Sequence, residues 1–218
     1  MKTVLDHIVI GAADLQKGVE YVEKHLGITV PFGGSHPVMA THNCLTRLSD
    51  TTFLEILAID KEARQPLQPR WFGLDDPAVQ KKLEHGPELL TWVVNCDDIT
   101  AALSNAEIGF GKPQPLSRGD LRWYFGVPDD GRLIAGGILP YIISWQTEPH
   151  PAASMTHLGC RLENITIFTP FYDWTMRQLE AIGALGQARV DNCPPARAPY
   201  LEVEFTTPGG KKVLLVTS

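Results

Sequence analysis

The segment GGSHPVMATHNCLTRLSDTTFLEILAID, residues 33–60, holds the pattern on which a prediction of the fold depends. Two strand-like runs, residues 43–48 and 52–59, are separated by the short polar turn at residues 49–50. Apolar, β-branched runs joined by a tight polar turn are typical of a β-hairpin. We therefore predict a hairpin here, preceded by a loop rich in Gly and Pro.

A strand and a helix are predicted before this hairpin. Residues 4–10 (VLDHIVI) are mostly β-branched or apolar, which favours a buried strand. Asp14 occupies the N-cap position ahead of LQKGVEYVEKHLG, where apolar residues recur at helical spacing and Gly27 is suited to follow the last turn. The predicted order is a strand, a helix, a strand or loop, and the hairpin.

The same order returns in the second half of the chain. Residues 90–95 (LTWVVN) predict a strand, and Asp97 or Asp98 is placed to cap the helix ITAALSNAEIG. Residues 121–127 (LRWYFGV) and 138–145 (ILPYIISW) predict two further strands. Between the two halves, a polar connector with a short helical patch is expected to lie over the surface, with Trp71 and Phe72 as candidates to anchor it.

An alignment of the two halves indicates an internal repeat. Placing DHIVIGAADL on LTWVVNCDDI sets His7 opposite Thr91, and placing FLEILAID on LPYIISWQ sets Glu55 opposite Tyr141. The first and last strands are similarly spaced in both copies, so we predict two βαβββ modules, at about residues 4–60 and 88–146.

A smaller βαββ unit is predicted after the linker TEPHPAAS, in residues 156–218. Its predicted elements follow in chain order: a strand at 161–168, a helix at 170–182, and strands at 200–205 and 212–216. The predicted fold class is α+β, with the paired modules in residues 1–155 and the last unit packed on their sheet or extending it.

Charge and composition exclude several classes of function. The 218 residues carry a net charge of −6 and no run of Lys or Arg, which argues against binding to nucleic acid or to an anionic membrane. There is no signal peptide pattern and no apolar run of transmembrane length. The four cysteines are far apart without CxxC spacing, so buried free thiols and a cytoplasmic location are expected.

Two βαβββ units of this length resemble the vicinal oxygen chelate superfamily, which includes glyoxalase I, bleomycin-resistance proteins and extradiol dioxygenases. More narrowly, the chain is similar to glyoxalase-like domain proteins. The resemblance is carried by DHIVIGAADL, GGSHPVMATHNCLTRL, FLEILAID and GGILPYIISWQTEPHPAAS, within residues 5–155. It implies a cupped mixed sheet around a cavity, and by analogy a homodimer. Many members hold a divalent metal there, on the first and last strands of each unit.

Carried over to this sequence, the family pattern implies that His7 and Glu55 are metal ligands. Both residue types bind Zn, Fe, Mn or Ni well. The second module offers Thr91 and Tyr141 instead, which are poor ligands for such ions. Either the metal site is completed from elsewhere, with His42 as the candidate third ligand, or the cavity holds no metal.

Glu55 is the most informative candidate from the residues themselves. It lies in the middle of a strand with apolar neighbours on both faces, and a buried carboxylate is destabilising unless it is paired, metal-bound or protonated. The alternative to a catalytic or ligand role is an ion pair with Arg47 on the neighbouring strand. For His7, the alternative is a core histidine held by Asp6 or by a backbone carbonyl.

The remaining candidates would complete a small-molecule site. His42 is a candidate acid or base, Asn43 a donor to a substrate carbonyl, and Arg47 a partner for a substrate carboxylate. Three residues are candidates for lining or closing the cavity: Trp123, Trp145 and His150. For the tryptophans the alternative is a place in the core, for His150 a place in the linker, and His36 and Asn43 are otherwise expected in turn and capping bonds.

Two functions follow from these features. The first is an enzyme, a divalent-metal-dependent lyase or isomerase acting on a small oxygen-rich substrate, with the metal on His7, Glu55 and His42. The second is a metal-free protein of the same fold that sequesters a small aromatic or amphipathic molecule, which the aromatic second module favours.

Overall fold

The computed structural model describes residues 2–217, which form four α-helices, twelve strands and two short 3₁₀ segments. The first module contains β1 (Val4–Ala12), α1 (Leu15–Leu26), β2 (Phe32–His36), β3 (Thr41–Arg47) and β4 (Phe53–Ile59). After α2 (Pro77–His85), the second module contains β5 (Glu88–Asn95), α3 (Ile99–Asn105), β6 (Lys112–Arg118), β7 (Leu121–Val127) and β8 (Tyr141–Trp145). The last unit contains β9 (Arg161–Thr169), α4 (Tyr172–Ala181), β10 (Arg189–Asn192), β11 (Tyr200–Thr206) and β12 (Lys212–Val216). Within residues 2–217, no helix is long and apolar enough to cross a membrane.

Helix α1 begins and ends where its capping residues predict. The Asp14 carboxylate accepts a hydrogen bond from the Lys17 backbone N–H at 2.9 Å, and Gly27 ends the helix in the left-handed conformation, with φ +71°. The helix packs closely on the sheet at Gly18, where a Cβ would lie 2.3 Å from the Ile56 side chain. This contact holds α1 on the outer face of β4, so the opposite face of β4 is free to line a cavity.

The two modules form one eight-stranded mixed sheet, in the order β2-β3-β4-β1-β5-β8-β7-β6. In each module the first and last strands pair in parallel, β1 with β4 and β5 with β8, and the antiparallel pair of β1 and β5 joins the modules. The edge strands β2 and β6 also approach each other, so the sheet is cupped and nearly closed. The predicted paired βαβββ architecture is confirmed.

Both edge strands differ from the sequence prediction. Strand β2 includes the two glycines at 33–34 that were expected in a loop, and β6 contains Pro113 and Pro115 in a segment for which no strand was predicted. Strand β6 pairs only with β7, and an edge strand tolerates proline because it lacks a partner on one side.

The connector between the modules is anchored by the two aromatic residues that the sequence indicated. Its residues Trp71 and Phe72 are 3% and 1% exposed, and both belong to the main hydrophobic core. Phe72 stacks edge-on against Tyr141, with 4.6 Å between ring centroids. The connector is therefore anchored inside the cup by two aromatic side chains, although most of its other residues lie on the surface.

The C-terminal unit forms a separate four-stranded sheet, in the order β10-β9-β11-β12. Strand β10, which pairs in parallel with β9, was not predicted, so the unit is βαβββ in element order instead of βαββ. The new sheet does not extend the large one. It shares a continuous apolar core with it, and the Thr3 backbone N–H donates to the Gly183 carbonyl across the junction at 3.0 Å.

The cysteines are free, as their spacing predicted, and three of the four are buried: Cys44, Cys96 and Cys160. Burial raises the pKa of the Cys96 thiol to about 12, with a further contribution from the nearby Asp97 and Asp98 charges. Such thiols stay protonated near neutral pH and are poor nucleophiles. Burial likewise raises the pKa of the Cys44 thiol.

Candidate functional site

A cavity of about 40 Å³ lies inside the cupped sheet. Its polar lining consists of His7, His36, Asn43, Glu55 and Arg118. Its aromatic lining consists of Phe53, Trp71, Phe72, Trp123, Phe125 and Trp145. A buried water needs about 10–15 Å³ of such space, so there is room for roughly three water-sized groups. The cavity therefore fits the head group of a small organic molecule.

His7 and Glu55 face each other at the polar end of the cavity. The His7 Nε2 atom lies 3.5 Å from Glu55 Oε2, and the two residues are 4% and 5% exposed. The second Glu55 oxygen, Oε1, accepts a hydrogen bond from Asn43 Nδ2 at 2.7 Å. The predicted ion pair between Glu55 and Arg47 is not formed, and Asn43 and His7 take that place.

The opposite side of the His7 ring is held by a fully buried carboxylate, Asp6. Its Oδ1 lies 2.5 Å from His7 Nδ1, while Oδ2 lies 2.8 Å from Trp145 Nε1 and 2.9 Å from His150 Nε2. Burial by itself would raise the pKa of the Asp6 carboxyl, but the hydrogen bonds from His150 and His7 outweigh burial and lower it. An ionised Asp6 can only accept, so it holds a proton of His7 on Nδ1, and Nε2 is the ring nitrogen that faces the cavity.

Arg118, on the edge strand β6 of the second module, also reaches this cavity. Its Nη1 donates to Asn43 Oδ1 at 3.3 Å, so Asn43 connects Arg118 with Glu55. Burial lowers the pKa of Arg118, and the negative charge of Glu55 acts against this shift. The side chain passes over Gly34, where a Cβ would lie 2.8 Å from Arg118 Cδ. The glycine of β2 is thus what allows the guanidinium to enter.

His36 lies on β2 and not in the loop where the sequence placed it. It is 8% exposed, lines the cavity, and its Nδ1 is 3.1 Å from Thr41 Oγ1. Burial, followed by the charge of Arg118, lowers the pKa of His36 to about 3. His36 is therefore neutral near pH 7 and does not compete with Arg118 as a cation.

Besides His150, which does not line the cavity and instead meets Asp6 Oδ2 through Nε2 at 2.9 Å, two predicted site residues lie outside it. His42 is on β3 next to Asn43, and because successive strand residues point to opposite faces, it is directed away from Glu55. Arg47, at the end of β3, has Asp50 as its ion-pair partner, at 3.8 Å. The structure thus corrects both expectations: His42 is not beside His7, and Arg47 is too far along the strand to meet a ligand with Glu55.

The second module supplies aromatic walls in place of ligands. Trp123 and Trp145 line the cavity with 5.3 Å between ring centroids, as their strand positions allowed. Tyr141 Oη donates to the Arg132 carbonyl at 2.6 Å and accepts from the Phe72 N–H at 3.1 Å, while Thr91 Oγ1 donates to the Leu139 carbonyl at 3.3 Å. The two positions that align with His7 and Glu55 are therefore used in structural hydrogen bonds.

The residues present do not fit a divalent metal centre. Of the three expected ligands, only His7 and Glu55 face the cavity, and residues 2–217 contain no cluster of three or more His, Cys, Asp or Glu that could hold a metal ion. A catalytic zinc site needs three protein ligands. The guanidinium of Arg118 also faces this cavity, and its positive charge opposes a bound cation.

The contact between Asp6 and His7 is the one expected as the alternative for His7, whereas two residues of the site, Trp71 and Arg118, were not predicted to line it. The repeat contained a signal for Arg118, because β6 corresponds to β2 in the module order, but its prolines hid the strand. Trp71 lies outside both modules, so the repeat carried no information about it.

The Glyoxalase-like domain family model matches residues 5–183. A hypothetical protein from Staphylococcus aureus has a TM-score of 0.56 at 14% identity, over 98% of this chain and 85% of that chain. A mutant of 4-hydroxymandelate synthase from Streptomyces coelicolor has a TM-score of 0.50 at 16% identity, over 99% and 62%. Methylmalonyl-CoA epimerase from Mycobacterium tuberculosis has a TM-score of 0.41 at 21% identity, over 69% and 92%.

The first two of these likenesses agree with the observed fold. No curated protein matches the chain in sequence. The family model covers both modules and continues through α4. The chain belongs to the glyoxalase-like domain family of the vicinal oxygen chelate superfamily.

Proposed function

We propose that this protein is an enzyme of the isomerase or lyase type that moves a proton on a small, oxygen-rich organic substrate. The observation that carries the proposal is the buried pair of Glu55 Oε2 and His7 Nε2, 3.5 Å apart at the wall of a cavity. A carboxylate and an imidazole that face the same small cavity are suited to general acid–base catalysis.

The surroundings of the pair divide the roles between its two members. Asn43 fixes one oxygen of Glu55, so the other is directed to the cavity as the base. Asp6 fixes Nδ1 of His7, so Nε2 is the atom that exchanges a proton with a substrate. Asp6 and Asn43 are positioning residues, because each acts through the side chain that it holds.

The proposed step is the removal of a proton from a carbon next to a carbonyl group. Glu55 takes the proton, the electrons of the C–H bond move into the C–C bond, and the carbonyl π electrons move to its oxygen. A protonated His7 donates a hydrogen bond from Nε2 to that oxygen and stabilises its negative charge. Return of a proton to the same carbon from its opposite face restores the carbonyl group and completes an isomerisation, and no electrons are gained or lost.

This proposal departs from the metal-dependent chemistry that the resemblance implied. Since only His7 and Glu55 among the expected ligands face the cavity, we assign no step to a metal ion. The negative charge that develops on the substrate oxygen is instead met by His7. The enzyme is therefore expected to work in the presence of a chelator.

Exchange of substrate protons with deuterium tests the proposal directly. The protein is incubated in D₂O, with EDTA, with small carbonyl compounds such as pyruvate, hydroxyacetone and glyceraldehyde, and the carbon-bound protons are followed by NMR. We expect the wild type to accelerate exchange of at least one compound, and Glu55→Gln to reduce that rate by about 10²-fold or more. His7→Gln is expected to act in the same direction.

His42→Gln is the matched control, because this histidine lies on the same sheet but faces away from the cavity. Its exchange rate should equal that of the wild type. Exchange that survives in Glu55→Gln, or that appears only after a metal is added, would contradict the proposal. Circular dichroism on each variant separates loss of catalysis from loss of folding.

The alternative is a metal-free binding protein, and the six aromatic side chains of the lining favour it. Aromatic walls hold a flat organic molecule through apolar and stacking contacts without any chemistry. Deuterium exchange distinguishes the proposed enzyme from a binding protein. A compound that raises the melting temperature in EDTA, with no deuterium exchange and with the same affinity for Glu55→Gln, supports binding alone.

A further inference from the structure

We propose that the cavity contains a carboxylate subsite, in which Arg118 and the indole N–H of Trp71 hold the anionic group of a small organic monocarboxylate. The proposal rests on the proposed function only in placing the ligand in the cavity beside Glu55. It adds the chemical class of the ligand, which none of the family features indicates.

Arg118 is the first observation behind this subsite. No carboxylate oxygen within residues 2–217 lies within 4.0 Å of its guanidinium, although the side chain is partly buried. Arg70, which is buried more deeply than Arg118, has a carboxylate partner, Asp75. A guanidinium has five N–H donors, and the Asn43 amide oxygen takes one of them. Arg118 is thus a partly desolvated cation that meets Glu55 only through Asn43 and has no carboxylate in direct contact, which favours binding of an anion.

Trp71 is an independent second observation. The residue is 3% exposed and lines the same cavity, and its Nε1 is a buried donor that has no hydrogen-bond partner. By contrast, Trp92 and Trp145 each donate from Nε1, to the Ile138 carbonyl and to Asp6. Buried polar groups are nearly always satisfied in folded proteins, and an unsatisfied indole N–H at a cavity wall indicates a missing acceptor. A carboxylate oxygen is a strong acceptor for this donor.

The dimensions and charges of the cavity restrict the ligand further. About 40 Å³ fits a carboxylate with few additional atoms, and the aromatic walls leave room for a flat group. Arg118 is the one cationic side chain of the lining in the described residues, apart from the histidines. A second carboxylate would lie close to Glu55 and be repelled, so a monocarboxylate is preferred over a dicarboxylate.

The neighbouring strand is built to admit this arginine. A Cβ at Gly34 would lie 2.8 Å from Arg118 Cδ, and a Cβ at Gly33 would lie 2.6 Å from Asn43 Oδ1. Both glycines of the GGSH sequence thus keep space for polar side chains that face the cavity. This arrangement places the guanidinium beside Asn43 and Glu55, so a bound carboxylate would bring its adjacent carbon near the proposed base.

The experiment measures binding of acetate and pyruvate, with acetamide as the neutral counterpart of acetate, at constant ionic strength and in the presence of EDTA. In ¹H–¹⁵N spectra of the uniformly labelled protein, the Trp71 indole signal is assigned from its absence in Trp71→Phe. We expect this signal to move on addition of acetate or pyruvate and not of acetamide. The same titration gives the dissociation constants for the variants.

Arg118→Gln is expected to weaken pyruvate binding by about 10- to 100-fold, and Trp71→Phe by about 3- to 10-fold. Arg47→Gln is the matched control, since this arginine lies outside the cavity and pairs with Asp50, and its affinity should equal that of the wild type. An unmoved Trp71 signal in the wild type would overturn the proposal. Equal affinity of Arg118→Gln and Arg47→Gln would do the same.

Glu55→Gln separates this subsite from the proposed reaction. If Glu55→Gln binds pyruvate through Arg118 while the wild type exchanges no substrate protons, the subsite stands and the proposed function fails. If the wild type exchanges the protons of pyruvate at the same rate as Arg118→Gln, the proposed function stands and the subsite fails.

Discussion

The burial of His36 leads to a prediction about stability against acid. Its ring packs at the end of β2 against Trp71, with 5.0 Å between centroids, and its Nδ1 meets Thr41 Oγ1. Burial is the largest cause that lowers the pKa of His36 to about 3, and the charge of Arg118 is the next. The folded protein therefore keeps this ring neutral at pH values where the unfolded chain protonates it.

The sign and size of the effect follow from the two pKa values, about 3 in the folded state against the ordinary value of 6.5. Below pH 6.5 the unfolded chain binds a proton that the folded protein does not. The free energy of unfolding therefore decreases as the pH is lowered, until the folded ring titrates near pH 3. Each pH unit in this range removes about 1.4 kcal/mol. Between about pH 7.5 and pH 5, His36 alone is expected to remove about 2 kcal/mol.

Urea unfolding of the wild type and His36→Gln at these two pH values isolates this contribution from that of the other titrating groups. The free energy of unfolding of the wild type should fall by about 2 kcal/mol more than that of His36→Gln. Thr41→Val is the control, because it removes the hydrogen-bond partner and retains the buried imidazole. Its pH dependence should stay close to that of the wild type.

Equal losses for the wild type and His36→Gln would refute the reasoning. That result would mean that His36 accepts a proton in the folded state as readily as in the unfolded chain. The aromatic end of the cavity would then be open to water, and the desolvation assigned to Arg118 would fail with it.

Two further predictions concern the core of the site and of the fold. Asp6→Asn removes the carboxylate that holds both His7 and His150. We expect the free energy of unfolding in urea to fall by about 2–4 kcal/mol and deuterium exchange to slow by about 10²-fold. Undiminished exchange in the folded variant would contradict the orienting role. Gly137→Ala places a Cβ 2.1 Å from the Leu90 carbonyl oxygen at φ +97°, whereas Gly27→Ala meets nothing within 4 Å at φ +71°. In urea unfolding, the free energy of unfolding should fall by about 3 kcal/mol or more for Gly137→Ala and by about 1 kcal/mol for Gly27→Ala. Equal losses would show that the contact with Leu90 is relieved at no cost.

Elements with strong local signals were predicted to within a residue or two. Strand β12 spans Lys212–Val216 as predicted, and β4 spans Phe53–Ile59 against a prediction of 52–59. Helix α1 follows its Asp14 cap. Such elements are determined by capping residues and by runs of β-branched residues, which act over a few positions and can be recognised without tertiary contacts.

The edge strands could not be predicted in this way, because their residues favour loops. Gly and Pro in β2 and β6 disfavour a strand locally, and pairing with a single neighbour outweighs that preference. Missing these strands also meant missing two site residues, since the strands position His36 and Arg118 at the cavity. The module repeat predicted a place for such strands, but it did not show which residues would point inward.

The direction of side chains limited the prediction of the site itself. His7 and Glu55 were predicted to meet, and they do, because both were assigned from whole strands and from the family pattern. His42 and Asn43 are adjacent on β3 and point to opposite faces, so a shift of one residue in the register exchanges them. The residues of this strand alone do not determine that register.

A homodimer and a cytoplasmic location stay predictions.

The cavity is asymmetric, and the asymmetry follows from where each module uses its polar residues. The first module directs His7, Asn43 and Glu55 inward, whereas the second uses the hydroxyls of Thr91 and Tyr141 for bonds to backbone groups. With only two ligands left, a metal ion would lack donors, but a proton needs only one donor and one acceptor. The arrangement therefore suits the proposed acid–base chemistry. The positive charge in the cavity comes from the guanidinium of Arg118, which the second module supplies from its edge strand.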